Sequence, residues 1–137
     1  MNLVIDIGNT RIKAGVFDGK KLMTCFIIKS FKKSSLTFLI NRYAIRSVIF
    51  SSVVKEEKLL ISSESLQVFY LNHKTALPIV NDYATPATLG TDRLANACGA
   101  AILFKKKNCL VFDAGTCLKF DFITDEAHYK GGAISPG

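Results

Sequence analysis

The sequence predicts an α/β fold that begins twice. Three observations carry this reading. Apolar runs of strand length alternate with stretches of helical spacing, in the order three strands, helix, strand, helix, strand. The strand and turn that open a strand–turn–strand segment near the N-terminus, Leu3 to Asn9, are matched near the C-terminus by Leu110 to Thr116 at a constant offset of 107 residues. Hydrophobic residues make up 49% of the 137, enough for a packed core, yet no apolar run is long enough to span a bilayer.

Residues 3–10 and 11–17 read as the first two strands, and Asp18-Gly19 as a type I′ hairpin leading into a third antiparallel strand over 21–29. Over 34–44, Leu36, Leu39, Ile40 and Tyr43 fall at helical spacing, with Ser34 or Ser35 as the cap. A buried strand over 47–53, a short helix over 55–63 and a strand over 66–72 follow. A hairpin meander followed by βαβ crossovers is the order of the ribonuclease-H-like fold. A loop holding Pro78 and Pro86 then leads to a long helix over 91–107. Thr91 is its N-cap, Lys105 to Lys107 meet the dipole at its far end, and Gly99 marks close packing against a neighbour.

After this helix the fold starts again. Leu3-Val4-Ile5-Asp6-x-Gly8-Asn9 is matched by Leu110-Val111-Phe112-Asp113-x-Gly115-Thr116, and a third strand is expected near "AHYKGGAIS". The expected organisation is a complete N-terminal lobe with its linking helix over 1–107 and the start of a second, truncated lobe over 108–137. Completing that lobe would take roughly another hundred residues.

None of the four cysteines forms a CxxC pair, and Cys98, Cys109 and Cys117 sit in apolar surroundings as reduced core cysteines do, which indicates a cytoplasmic protein and no metal cluster. The N-terminus has no signal peptide pattern, since its short apolar stretch holds Asp6. The net charge of +7 rests largely on two lysine runs, which read as solvated faces in preference to a nucleic-acid surface.

A single Asp-x-Gly at a strand end is most often a turn. Two at equivalent places in a duplicated fold imply two loops facing each other across a cleft. Glycine lets the backbone N–H groups approach phosphate oxygens. Asn9, Thr10 and Thr116 add hydrogen bonds, and Asp6 and Asp113 orient a cation that bridges phosphates, an arrangement suited to a nucleoside triphosphate. In "GTDR", 90–93, Asp92 is either a first-turn acid favoured by the helix dipole or the base that accepts a substrate hydroxyl proton. Arg93 beside it suits an anionic group or the transferring phosphoryl.

These motifs resemble those of the type III pantothenate kinases, within the acetate/sugar kinase–Hsp70–actin superfamily, whose duplicated actin-like ATPase fold this chain would share. "DIGNT" at 6–10 looks like the first phosphate motif and "GTDR", with Tyr83 upstream, like the pantothenate motif. "DAGTCLKFD" at 113–121 looks like the second phosphate motif and "GGAISPG" at 131–137 like the glycine-rich segment after it. The resemblance implies ATP-dependent phosphorylation of pantothenate, the first step of coenzyme A synthesis. It implies that Asp6, Gly8, Asn9, Thr10, Lys13, Gly115 and Thr116 bind ATP, with Asp6 placing Mg²⁺ through water. It makes Asp92 the proton acceptor and Tyr83, Gly90, Thr91, Asp92 and Arg93 the pantothenate contacts. Asp113 would ligate a monovalent cation, K⁺ or NH₄⁺, and the protein would act as a homodimer that binds neither nucleic acid nor membrane. One position departs from the pattern. The family's Asp-x-Gly-Thr-x-x-Thr-x-Asp has Lys119 in place of its second Thr, which either supplies charge or points to solvent from the strand. Read as a truncated chain, the protein is expected to have little or no kinase activity by itself. The alternatives are an accessory transcriptional regulator, as some members of the family are described, a ribonuclease-H-like metal-dependent nuclease, or a stable structural fragment.

Overall fold

In the first strand, Asn2–Ile7 (β1), every second side chain is apolar and buried: Leu3, Ile5 and Ile7. The computed structural model describes residues 1–28, 32–54 and 66–136, which form two compact units, Met1–Leu71 and Asn72–Gly137. The helix expected over 55–63 lies outside the described residues.

In the first unit β1 pairs antiparallel with Ile12–Asp18 (β2), which pairs antiparallel with Lys21–Ile28 (β3). On its other side β1 runs parallel to Ser47–Ser52 (β4), and β4 parallel to Gln67–Tyr70 (β5). The order β3-β2-β1-β4-β5 is the three-strand meander with parallel additions expected from the sequence. Helix Lys33–Arg42 (α1) packs Leu36 and Leu39 on the face made by Leu3, Ile5, Ile12, Ala14, Val16, Val48 and Phe50. Its N-cap is Lys32, without a side-chain cap hydrogen bond, so neither Ser34 nor Ser35 caps it. The β2–β3 hairpin also differs from expectation. Asp18 pairs with Lys21, and of the two loop residues only Gly19 has positive φ, at 56°. That is the pattern of a type II′ turn centred on Gly19-Lys20.

In the second unit, helix Thr91–Leu103 (α2) lies on a sheet of Val80–Asn81 (β6), Cys109–Ala114 (β7), Cys117–Ile123 (β8) and His128–Pro136 (β9). The order is β6-β9-β8-β7, so β7, β8 and β9 repeat the meander of β1, β2 and β3. Leu94, Ala97 and Ala100 of α2 meet Ile123 and Tyr129 in the core. The helix that the sequence reading joined to the first lobe is therefore built into the second unit. Its apolar stripe and that of β8 are complementary, and burying both decides where it belongs. It ends at Leu103 with no basic residue in its last turn, and Gly90 is its N-cap, so Thr91 begins the helix. The lysines at 105–107 lie beyond it. A Cβ at Gly99 would meet nothing within 4 Å among the described residues, so close packing is not its role in this unit. The loop expected around Pro78 and Pro86 contains β6 and a 3₁₀ turn, Pro86–Thr88.

Candidate active site

The first phosphate motif sits where β1 ends. Alternation along β1 turns Asp6 to the face opposite Leu3, Ile5 and Ile7, where it is half-buried. The Gly8 N–H donates to the Arg11 carbonyl at 3.1 Å and closes the turn, and Asn9 and Thr10 ride exposed on it. In the β1–β2 register Asp6 stands opposite Lys13.

The second motif repeats this design with a tighter turn. The Gly115 N–H donates to the Cys117 carbonyl at 3.1 Å, Thr116 is exposed, and Asp113 stands opposite Lys119. The offset of 107 would match Lys119 with Ile12. Because the second turn is one residue shorter, the strand register instead makes Lys119 the counterpart of Lys13.

Helix α2 brings the third motif to the second. Asp92, in the first turn, accepts the Arg93 backbone N–H on Oδ1 at 2.9 Å. Its Oδ2 accepts a hydrogen bond from the Lys119 ammonium, which also donates to Asp113 Oδ2 at 3.1 Å. Lys119 is only 23% exposed and does not point to open solvent. Burial pulls its pKa down, but hydrogen bonds to Asp92 and Asp113 and their charges outweigh burial and raise it.

Arg93 is placed differently from expectation. It is buried, and Nε donates to both Asp121 oxygens, at 2.9 and 3.2 Å, while Nη2 donates to Oδ1 at 2.6 Å. Tyr129 Oη donates to the same Oδ1 at 2.6 Å. Burial opposes the Arg93 charge, and the hydrogen bonds and charge of Asp121 overcome it, leaving the pKa raised. The guanidinium lies 5.5 Å from the centre of the Tyr83 ring, which is how Tyr83 joins the motif. So Arg93 braces Tyr83 and the core; its charge is spent on Asp121. Gly131, at φ 91°, leaves room for that ring, since a Cβ there would come within 2.7 Å of Tyr83 Cδ2.

Asp121 and Tyr129 were assigned no role from sequence. The signal for Asp121 was present: Lys119, Asp121 and Ile123 share one face of β8, the face that meets α2. Tyr129 follows the same logic on β9. An open apolar groove of about 630 Å³, lined by Phe26, Ile28, Ser34, Phe38 and Leu39 among others, includes none of the motif residues.

Among the described residues, no group of three or more His, Cys, Asp or Glu side chains is arranged to hold a metal ion. Mg²⁺ carried by a nucleotide needs only one or two carboxylates beside the phosphates, and Asp6 at its glycine turn fits that requirement. Asp113 fits a monovalent cation less well, because Lys119 already occupies Oδ2. No helix among the described residues is long and apolar enough to cross a membrane.

A family model described as type III pantothenate kinase matches residues 2–137. The type III pantothenate kinase of Flavobacterium johnsoniae is 42% identical over 144 residues, a match covering 100% of this chain and 58% of that protein. A protein of Sinorhizobium meliloti described as a 2-dehydro-3-deoxygalactonokinase superposes with a TM-score of 0.59 at 10% identity, over 98% of this chain and 53% of its own. One of Campylobacter jejuni described as a Baf family transcriptional activator gives 0.57 at 23% identity, over 98% of this chain and 54% of its own. These two likenesses establish the fold, and the α/β, ribonuclease-H-like and actin-like architecture expected from the sequence is the one found.

Proposed function

Because the chain belongs to the type III pantothenate kinase family, we propose that it carries the phosphate loops and the hydroxyl-activating acid of an enzyme that phosphorylates pantothenate from ATP. The chain spans 58% of the length of the Flavobacterium relative, so the complete activity is proposed for a protein of that length. The observation that carries the reading is Asp92: a helix-N-terminal carboxylate held by the Arg93 N–H and by Lys119, beside a glycine turn of phosphate-binding form.

The division of labour follows from the residues. Gly8 and Gly115 let backbone N–H groups approach phosphate oxygens, with Asn9, Thr10 and Thr116 adding side-chain contacts and Lys13 charge. Asp6 would hold the Mg²⁺ that accompanies the nucleotide, and the metal would neutralise charge on the phosphates. A carboxylate has about four acceptor positions, so Asp92, with two in use, retains capacity to take a hydrogen bond from a substrate hydroxyl and then its proton. Tyr83, Gly90 and Thr91 line the pantothenate site, and Arg93 positions Tyr83 from behind. Homodimerisation, a cytoplasmic location and the absence of nucleic-acid and membrane partners belong to the same proposal. Use of a monovalent cation at Asp113 is the one expected feature that the Lys119 contact disfavours.

The test joins this chain to the C-terminal portion of the Flavobacterium relative and follows ³¹P NMR with ATP and Mg²⁺. A new phosphomonoester that appears only with pantothenate is the expected result. ATP consumption that ignores pantothenate, or cleavage of RNA in its place, would overturn the reading.

A further inference from the structure

Two carboxylates on separate elements, Asp92 at the start of α2 and Asp113 at the end of β7, share one nitrogen. The Lys119 ammonium donates to Oδ2 of each. Both side chains are mostly removed from solvent, at 16% and 33% exposed, so their repulsion is only partly screened. A positive charge held between them relieves that repulsion. In this chain the charge is covalently attached, delivered by the β7–β8 register that sets Lys119 opposite Asp113.

We propose that Lys119 is a tethered cation, an ammonium on a stem that takes the place of a bound K⁺ or NH₄⁺, so that this protein needs no monovalent ion at Asp113. A potassium ion entering here would have to displace Nζ from Asp113 and then sit close to a retained positive charge. A threonine at the same place would instead offer a neutral oxygen and leave both acids for a soluble ion. The chemical equivalence is close, since a lysine side chain is an alkylated ammonium with three donors. The inference rests on the kinase reading only for what the cation serves; the ion site itself is defined by these three side chains.

The test is thermal unfolding of the 137-residue chain in KCl and in tetramethylammonium chloride at equal ionic strength, beside the Lys119→Thr and Lys119→Gln variants. The wild-type melting temperature is expected to be the same in both salts. Each variant is expected to gain a saturable rise of about 4 °C or more in KCl, as a ligand that binds only the folded state produces. A saturable potassium-specific rise in the wild type would overturn the inference without any variant having to fold. So would folded variants that respond to both salts alike. In the chimeric enzyme, turnover without potassium supports the inference when Lys119→Thr makes that turnover potassium-dependent. A chimera that shows no pantothenate phosphorylation in any salt counts against the kinase reading, while the melting comparison still decides the role of Lys119.

Discussion

Arg93, Asp121 and Tyr129 form a buried cluster in which a fully enclosed carboxylate is matched by a guanidinium and a phenol. Breaking such a pair strands a charge, and the expected cost of Arg93→Met is about 3–5 kcal/mol. Urea unfolding checks this, and adding Asp121→Leu to that variant should restore a large part of the loss. Burial, then the hydrogen bond to Asp121, raises the Tyr129 pKa. A raised pKa means that the neutral phenol stabilises the fold. That contribution is complete below the ordinary tyrosine value of about 10 and is lost as pH rises beyond it. Absorbance titration should therefore show one tyrosine ionising only as the second unit opens, and Tyr129→Phe should remove that late step. At this scale the sequence exposed Asp6, Asp92 and Asp113 because each sits in a short motif whose chemistry is local. Arg93 and Lys119 were not legible in the same way. Arg93 finds Asp121 28 residues away and Lys119 finds Asp92 27 residues away, and the packing of α2 on β8 selects both pairs; the contact of Lys119 with Asp113 is set by the β7–β8 register.

Elements were read well where periodicity decides them and less well at their ends. The meanders β1-β2-β3 and β7-β8-β9 follow from alternation and turn residues. Helix caps, the hairpin type and the assignment of α2 depend on neighbours that the local sequence does not name. Gly132 shows how strictly one pairing is set. A Cβ there would lie 1.6 Å from the Phe120 carbonyl oxygen, and backbone cannot step aside cheaply. Gly132→Ala should force β8 and β9 apart at the Asp121–Gly132 pair and cost on the order of 4 kcal/mol or more, or prevent folding. A melting temperature within a few degrees of wild type would contradict the pairing.

For the chain as a whole, the repeat was its most informative feature. A constant offset between two strand–Asp-x-Gly segments, Leu3–Asn9 and Leu110–Thr116, revealed a duplicated fold that no single motif could. The second sheet also carries an apolar face turned away from α2: Leu110, Phe112 and Phe122 are exposed there, at 56, 59 and 39%, and the β7–β8 register sets Leu110 opposite Phe122. A contiguous patch of this kind binds hydrophobic probes. The chain should enhance anilinonaphthalene sulfonate fluorescence, and Leu110→Thr with Phe112→Thr should reduce the signal while the melting temperature holds within a few degrees.

In the reaction proposed above, Asp92 accepts the substrate proton. The most direct test of that step is the turnover of the chimeric enzyme with and without Asp92→Asn, in proteins shown to melt cooperatively. The predicted result is a fall in kcat of about 10²–10⁴ with little change in KM for pantothenate. An Asp92→Asn enzyme that keeps its kcat would contradict the account.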